Sequence, residues 1–212
     1  MKKPIVTIAL VEDSKTTREG FETIINLEED LRCVCACPTA EDALKQIPRL
    51  QPDVILMDIQ LPNMSGVECT ARLKQILPSV QIIMVTVYED PDRIFSALRA
   101  GACGYLLKRS APEQIIAAIR QVEQGGAPMS GEIARKVIAQ FQHQTVSNKE
   151  LENLSHREKE VLELIATGFS NKQIADRLSV SVDAIRFHLK NIYSKLLGHS
   201  RTEAALNFKN TG

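Results

Sequence analysis

The sequence predicts an α/β fold, a doubly wound domain with a five-stranded parallel sheet, followed by a second, small all-α domain. Short apolar runs alternate with helical patterns in the first 125 residues, which indicates βαβ units and a parallel sheet covered on both faces. Charged or hydroxyl side chains stand at the ends of four of the five runs. Beyond residue 154 the pattern is helical throughout, with capping signatures, and predicts the all-α domain.

The first domain is predicted to contain five strands and five helices in alternation. The apolar runs predict strands over 5–11, 33–37, 54–59, 82–87 and 104–107. The helical patterns cover about 15–28, 40–49, 64–76, 91–100 and 112–124. Five such units make one doubly wound domain, which we assign to residues 1–125.

Residues 126–150 are predicted to be a linker helix and a tether. An amphipathic pattern indicates a helix over 131–142, with apolar positions at Ile133, Val137, Ile138 and Phe141. The polar, irregular stretch that follows is typical of a tether between domains.

Residues 151–212 form the predicted all-α domain. Ser155 and Glu158 are spaced as a capping box that begins a helix over 156–167, and a similar box begins a helix over 171–178. Ser181 is the predicted N-cap of a third helix, and a fourth covers 202–207. Two helices joined by a tight turn have the plan of a helix-turn-helix. The apolar stripe of the third helix is Val182, Ile185, Leu189, Ile192 and Leu196.

Composition narrows the class of protein. The chain carries 26 basic and 26 acidic residues, but residues 170–212 hold seven basic and three acidic ones, which favours a polyanionic partner. No apolar run approaches the roughly 20 residues of a membrane span, so we expect a cytoplasmic protein. Cys33, Cys35 and Cys37 are predicted to share one strand face as small buried residues, since the spacing does not match a zinc site.

Five functional groups stand at the ends of the predicted strands. They are Glu12, Asp13, Asp58, Thr86 and Lys108. In parallel sheets, ligands bind at the carboxyl ends of the strands, and a strand order of 2-1-3-4-5 would bring these groups to one edge. Three carboxylates suit Mg²⁺, and a carboxylate beside a metal can act as a nucleophile toward a phosphoryl group.

Four stretches of this domain resemble the receiver domain of bacterial two-component response regulators, which has a flavodoxin-like fold. They are "LVED" (10–13), "ILMDIQLPNMSG" (55–66), "VTVYED" (85–90) and "GACGYLLK" (101–108). The resemblance implies that Asp58 is phosphorylated by a sensor histidine kinase, that Thr86 and Lys108 contact the phosphoryl group, and that Tyr105 is an aromatic switch. It also implies a Mg²⁺ site formed by Glu12, Asp13, Asp58 and the backbone carbonyl of Gln60.

Residues 154–196 resemble the LuxR-type helix-turn-helix of NarL/FixJ response regulators. The face of the third helix opposite its apolar stripe displays Phe187 between two cations, which favours contact with a nucleic acid. The resemblance implies base contacts from Arg186, Phe187 and Lys190, and phosphate contacts from Asn171, Lys172 and Arg201.

Both resemblances together predict a DNA-binding response regulator rather than an enzyme. Phosphorylation would control dimerisation and binding of double-stranded promoter DNA, and hence transcription. Two other functions are considered. One is a Mg²⁺-dependent phosphohydrolase with Asp58 as nucleophile, although Gln60 stands where such enzymes of the haloacid-dehalogenase type place a second acid. The other is a phosphorylation-dependent protein-interaction module that does not bind DNA.

Overall fold

A computed structural model describes residues 5–123, 126–143, 154–166, 169, 171–182, 184–185, 187–189, 191–192 and 195. For residues 138–143, 165–166 and 171–172 it describes the backbone alone.

The first domain contains a parallel sheet with the strand order β2-β1-β3-β4-β5, as predicted. The strands are β1 (Val6–Val11), β2 (Leu31–Cys37), β3 (Val54–Met57), β4 (Gln81–Thr86) and β5 (Gly104–Leu107). The central strands are buried along nearly their whole length, which explains why their sequences are continuous apolar runs rather than alternating patterns.

Helices cover both faces of this sheet. They are α1 (Lys15–Asn26), α2 (Ala40–Leu50), α3 (Gly66–Ile76), α4 (Pro91–Ala100) and α5 (Pro112–Glu123). Successive strand residues point to opposite faces, so Ile8 of β1 packs in the core formed with α1 and α5, while Ala9 packs in the core formed with α2, α3 and α4. The sheet therefore separates two apolar cores.

Strand β2 contains a bulge that corrects the predicted placement of its cysteines. Ile8 pairs with Cys33 and the next residue, Ala9, pairs with Cys35, so Val34 is an extra residue in the edge strand. The extra residue reverses the alternation. Cys33 consequently packs on the α1 and α5 face, whereas Cys35 and Cys37 pack on the opposite face. The prediction that all three share one face was wrong.

The chain continues as a linker helix, α6 (Gly131–His143), which packs against α4. Ile133 and Val137 of α6 are fully buried, as predicted, while the side chains of Ile138 and Phe141 lie outside the described residues. Two further helices follow, α7 (His156–Ala166) and α8 (Asn171–Arg177), and α6 also packs against α7.

The start of the all-α domain has the predicted capping box at Ser155, whereas the predicted box at Ser170 lies outside the described residues. The amide of Ser155 donates to the Glu158 carboxylate at 2.7 Å, and the amide of Glu158 donates to the Ser155 hydroxyl at 3.3 Å, which is the reciprocal pattern of a capping box. The predicted fourth helix over 202–207 lies outside the described residues. In the described part of the chain, no helix has the length and apolar character needed to cross a bilayer.

Candidate functional site

Asp58 is the first residue after β3, at the carboxyl edge of the sheet. The predicted strand continued to residue 59, but the observed strand ends at Met57, so Asp58 begins the loop. Its amide donates a 2.9 Å hydrogen bond to the carbonyl of Val11, which ties this loop to the end of β1. The side chain of Asp58 is buried at the rim of the core, with a residue exposure of 5%.

The loop between β3 and α3 packs tightly against the backbone of Asp58. The amide of Gly66 donates to the carbonyl of Ile59 at 2.8 Å, which closes the loop. A Cβ atom at Gly66 would lie 1.7 Å from the carbonyl oxygen of Asp58, a distance that no side chain can occupy. Asn63 adopts a left-handed backbone with φ of 63°, as asparagine tolerates. The composition of this loop therefore fixes where Asp58 stands.

Glu12 and Asp13 follow directly after β1 and lie beside Asp58. One carboxylate oxygen from each of these three acids lies within 4.8 Å of the others. Glu12 is buried and Asp13 is exposed. Arg18 of α1 donates hydrogen bonds to the backbone carbonyls of Glu12 at 2.7 Å and Asp13 at 3.1 Å, and so fixes the turn that carries both acids.

Lys108, the residue after β5, contacts two of the acids. Its ammonium nitrogen is 2.6 Å from the nearer Glu12 oxygen and 2.8 Å from Asp58 Oδ2. Burial raises the pKa of Glu12 above its usual value, and the contact with Lys108 offsets only part of this effect. Burial alone would lower the pKa of Lys108, but the hydrogen bonds to Asp58 and Glu12 outweigh it, so that pKa lies above its usual value.

The cluster has the chemistry of a site for a hard divalent cation. Three carboxylate oxygens, one each from Glu12, Asp13 and Asp58, lie within 4.8 Å of one another, and Lys108 balances part of the negative charge. An all-oxygen donor set of this kind suits Mg²⁺, which retains several of its waters. The fourth predicted ligand, the backbone carbonyl of Gln60, lies two residues beyond Asp58, and its coordination remains a prediction.

Thr86 and Tyr105 stand next to this cluster on β4 and β5, and both are fully buried. The Tyr105 hydroxyl donates a 2.9 Å hydrogen bond to the carbonyl of Tyr88, so its ring points inward under the loop that follows β4. The Tyr88 hydroxyl is hydrogen-bonded to the Gln60 side chain, and the Arg93 guanidinium lies 3.7 Å from the centroid of the Tyr88 ring. These contacts connect the loops after β3 and β4.

The third helix of the all-α domain has the predicted orientation where it is described. The Ser181 hydroxyl accepts a hydrogen bond from the Ala184 amide at 3.1 Å, which is an N-cap contact. Ile185 and Leu189 are buried, whereas Phe187 is 59% exposed on the opposite face. The other predicted DNA contacts fall outside the description, either as whole residues (Arg186, Lys190 and Arg201) or as side chains (Asn171 and Lys172).

Both domains match known families. Residues 8–120 match the family described as response regulator receiver domain, and residues 152–208 match bacterial regulatory proteins of the luxR family. The chain is 34% identical over 209 residues to the uncharacterized transcriptional regulatory protein YxjL of Bacillus subtilis (strain 168), covering 97% of this chain and 96% of that protein. The chain belongs to the NarL/FixJ family of response regulators.

Further comparisons agree with this family. The oxygen regulatory protein NreC of Staphylococcus carnosus (strain TM300) is 34% identical over 202 residues, covering 92% of this chain and 93% of that protein. A crystal structure of a two-component response regulator of the LuxR family from Aurantimonas sp. SI85-9A1 superposes with a TM-score of 0.63 and 28% identity. That similarity covers 66% of this chain and 99% of the solved chain.

Two features of this response regulator were not predicted from its sequence. Arg18 anchors the acid-bearing turn from one helical turn into α1, and no spacing signal distinguishes it from any exposed arginine. The Tyr88 and Gln60 side chains meet although they belong to different loops. A hydrogen bond between loops depends on strand order, which the residue pattern near either position does not encode.

Proposed function

We propose that this response regulator is activated by phosphorylation of Asp58 and then binds promoter DNA as a homodimer. The observation that supports the proposal most directly is the geometry at Asp58. Its carboxylate lies 2.8 Å from the Lys108 ammonium, and one of its oxygens lies within 4.8 Å of a carboxylate oxygen of Glu12 and of Asp13. This arrangement combines a nucleophile, a cation and a set of metal ligands at the edge of the sheet where ligands bind.

In the proposed reaction, an Asp58 carboxylate oxygen attacks the phosphorus of a phosphohistidine on the partner kinase. A new P–O bond forms, the P–N bond breaks, and the departing imidazole nitrogen keeps the electron pair. Lys108 stabilises negative charge on the phosphoryl oxygens. A Mg²⁺ ion held by Glu12, Asp13, Asp58 and the Gln60 carbonyl would supply further neutralisation of this charge.

Thr86 and Tyr105 are the proposed switch residues. Thr86 is the last residue of β4, and we expect its hydroxyl to donate a hydrogen bond to a phosphoryl group on Asp58. Tyr105 lies beneath the following loop, where its hydroxyl donates to the Tyr88 carbonyl. The two-state equilibrium of the loop would shift because the phosphoryl group interacts with one of its conformations better than with the other.

Three segments of the chain have different proposed roles. Residues 1–125 receive the phosphoryl group, residues 126–150 connect the domains, and residues 151–212 bind double-stranded DNA. The exposed Phe187 supports this assignment, because an apolar side chain on a recognition helix can contact a thymine methyl group. Arg186 and Lys190 are the proposed base readers beside it, while Asn171, Lys172 and Arg201 are proposed to contact phosphates. DNA as the target favours the cytoplasm as the compartment of action.

A phosphohydrolase is less well supported. The side chain two residues after Asp58 is the amide of Gln60, which is engaged by the Tyr88 hydroxyl, and an amide cannot act as a general acid. We therefore propose that the chain is a regulator and not an enzyme.

Phosphoryl transfer is tested by incubating the protein with acetyl phosphate and Mg²⁺ and measuring its intact mass. We expect an adduct of about 80 Da, which is one phosphoryl group, that is lost in Asp58→Asn. Asp53→Asn is the matched control, since it makes the same chemical change five residues earlier and should retain the adduct. An adduct that survives Asp58→Asn would refute the proposed acceptor.

DNA binding is tested with Arg186→Ala and Lys190→Ala, using random duplexes at low salt and site selection with and without phosphorylation. Both variants should weaken binding and relax the preference for the base that each residue reads, by about 1–3 kcal/mol for each lost base contact. Lys159→Ala, at an exposed position on α7, removes the same charge as a control. Unchanged binding by both variants would favour the protein-interaction function instead.

A further inference from the structure

Asp13 is held in the acid cluster differently from the other two acids. The carboxylates of Glu12 and Asp58 contact the Lys108 ammonium at 2.6 Å and 2.8 Å, respectively. Asp13 is exposed, and among the described residues no hydrogen bond or ion pair holds its carboxylate. The location of that carboxylate, within 4.8 Å of the other two, therefore depends on the backbone that carries it.

One arginine holds the backbone on both sides of Asp13. A single guanidinium nitrogen of Arg18, Nη1, donates to the carbonyl of Glu12 at 2.7 Å and to the carbonyl of Asp13 at 3.1 Å. These carbonyls belong to the two peptide units that flank the Asp13 Cα atom. Because peptide units are planar, holding both of them restricts the two backbone dihedral angles of Asp13, and with them the direction of its side chain.

Arg18 is itself anchored in the first turn of α1. Its amide donates a 2.9 Å hydrogen bond to the carbonyl of Ser14, the N-cap residue, whose hydroxyl accepts from the Thr17 amide at 3.4 Å. Farther along the helix, Phe21 and Ile25 pack in the core that α1 forms with α5. The guanidinium therefore reaches the acid-bearing turn from a helix that the core holds in place.

The charge of Arg18 and its hydrogen bonds have opposite effects on a bound cation. Among the described residues, Arg18 forms no ion pair with a carboxylate. A positive charge near a cation site repels the cation, so this charge by itself weakens binding. Its hydrogen bonds strengthen binding, because a ligand that is already held in place loses less freedom when the ion arrives. The two effects differ in sign and can be separated by experiment.

We propose that Arg18 is a positioning residue of the cation site and raises its affinity for Mg²⁺ by holding the backbone of Asp13. The inference rests on the proposed Mg²⁺-dependent phosphorylation of Asp58. Residues that orient metal ligands typically contribute about 10- to 100-fold to metal affinity. Arginine suits this role better than lysine, since its planar group donates in fixed directions whereas an ammonium group rotates.

Cation binding is tested by titrating Mg²⁺ into the metal-free two-domain protein and following the amide NMR signals of the acid-bearing turn. We expect the dissociation constant for Mg²⁺ to rise by about tenfold in Arg18→Gln and by less in Arg18→Lys. Lys15→Gln is the matched control, since Lys15 is exposed on the same helix and pairs with Glu19 at 3.8 Å. It removes the same charge, and its Mg²⁺ affinity should be unchanged or slightly higher.

A second measurement separates positioning from a general loss of structure. The rate of the acetyl phosphate reaction is measured against Mg²⁺ concentration, together with unfolding by urea. In Arg18→Gln the Mg²⁺ concentration at half-maximal rate should rise, while the rate at saturating Mg²⁺ stays within about twofold of wild type. A merely structural role would lower the saturating rate and the urea midpoint and leave the half-maximal concentration unchanged. Arg18→Lys carries the same comparison if Arg18→Gln does not fold.

The outcomes separate this inference from the proposed function. Mg²⁺ binding by Arg18→Gln that equals or exceeds that of the wild type would overturn the positioning role and leave the phosphorylation of Asp58 intact. An equal loss in Lys15→Gln would also overturn it, because the loss would then not depend on the backbone hydrogen bonds. If the wild-type protein binds no Mg²⁺ and forms no adduct at Asp58, both claims fail.

Discussion

Among the described residues, each domain buries one glutamate beside a lysine, and the pKa values of the two glutamates differ in direction. Glu12 of the receiver and Glu158 of the DNA-binding domain are each 3% exposed. Their carboxylates lie 2.6 Å from Lys108 and 2.7 Å from Lys195, respectively. Nevertheless the pKa of Glu12 is raised by burial, whereas the pKa of Glu158 is lowered because its hydrogen bonds outweigh burial.

Glu12 lies deeper in the protein than Glu158, so burial raises its pKa more, and the neighbours of the two carboxylates add to the difference. Glu158 accepts a 2.7 Å hydrogen bond from the Ser155 amide and stabilises the start of α7. Glu12 accepts a longer bond, 3.1 Å, from the Ser14 amide, and it shares Lys108 with the Asp58 carboxylate, whose charge raises the pKa further. A charged Glu158 therefore stabilises its fold, whereas burial makes the charged form of Glu12 less favourable than it is in water.

Among the substitutions considered, Gly66→Ala should have the largest effect, because it disturbs the loop that positions Asp58 beside Glu12 and Lys108. A Cβ atom in Gly66→Ala would overlap the carbonyl oxygen of Asp58 at 1.7 Å, so the loop must move. We expect a loss of about 3 kcal/mol in the free energy of unfolding of the receiver, measured by urea denaturation. Gly20→Ala, where a Cβ meets no atom within 4 Å, is the control and should not destabilise the protein. Equal stability of both variants would contradict the tight packing at Asp58.

Glu158→Ala should destabilise the DNA-binding domain by about 2 kcal/mol, because the capping box and the ion pair with Lys195 are both lost. Glu160→Ala on the same helix removes partly exposed ion pairs and should cost less than about 1 kcal/mol. Thermal unfolding followed by a signal from this domain measures both. Equal losses in the two variants would contradict the structural role of Glu158.

The lowered pKa of Glu158 should make the stability of the DNA-binding domain depend on pH. Since the folded-state pKa of Glu158 lies below its ordinary value of 4.5, its contribution to stability is present above that value and is lost as the pH falls through the folded-state pKa. The difference in unfolding free energy between wild type and Glu158→Gln should therefore shrink below about pH 4.5. A difference that stays constant down to pH 3 would refute a lowered pKa.

Asp58→Asn should have the smallest effect on stability. The substitution removes one partner of Lys108, but Lys108 keeps Glu12, and Glu12 loses a like-charged neighbour. These changes oppose each other, so we expect a net change of less than about 1 kcal/mol in metal-free protein. A loss of about 3 kcal/mol or more, as is typical when a buried ion pair loses one partner, would show that Asp58 stabilises the fold rather than serving a ligand.

The sheet and the acid cluster could be predicted because they depend on patterns that the sequence carries locally. Strands buried on both faces must be apolar runs, and the residue after each run must lie at one edge of a parallel sheet. Glu12, Asp58 and Lys108 therefore meet once the strand order is known. The order itself was assumed as the one that makes those ends adjacent, and the structure has it.

Features that depend on the pairing of distant segments could not be predicted. The bulge at Val34 arises from the register between β1 and β2, and nothing in the cysteine spacing reveals it. The ion pairs that Glu89 and Arg109 form with Glu132 and Lys136 join two receiver loops to α6, and these four residues have no common spacing in the chain. Such contacts are decided by tertiary packing, whereas a helix cap such as Ser155 with Glu158 is decided within four residues.

In the receiver, Lys108 offsets only part of the effect of burial on Glu12, whereas in the DNA-binding domain hydrogen bonds and Lys195 outweigh burial at Glu158. Carboxyl ¹³C NMR titration of Glu12 and Glu158 in metal-free protein tests it directly. We predict that Glu12 titrates above the ordinary glutamate pKa of 4.5 and Glu158 below it, and that added Mg²⁺ lowers the pKa of Glu12 alone. A Glu12 pKa below 4.5 in metal-free protein, or one that does not respond to Mg²⁺, would contradict the proposed difference between the two carboxylates.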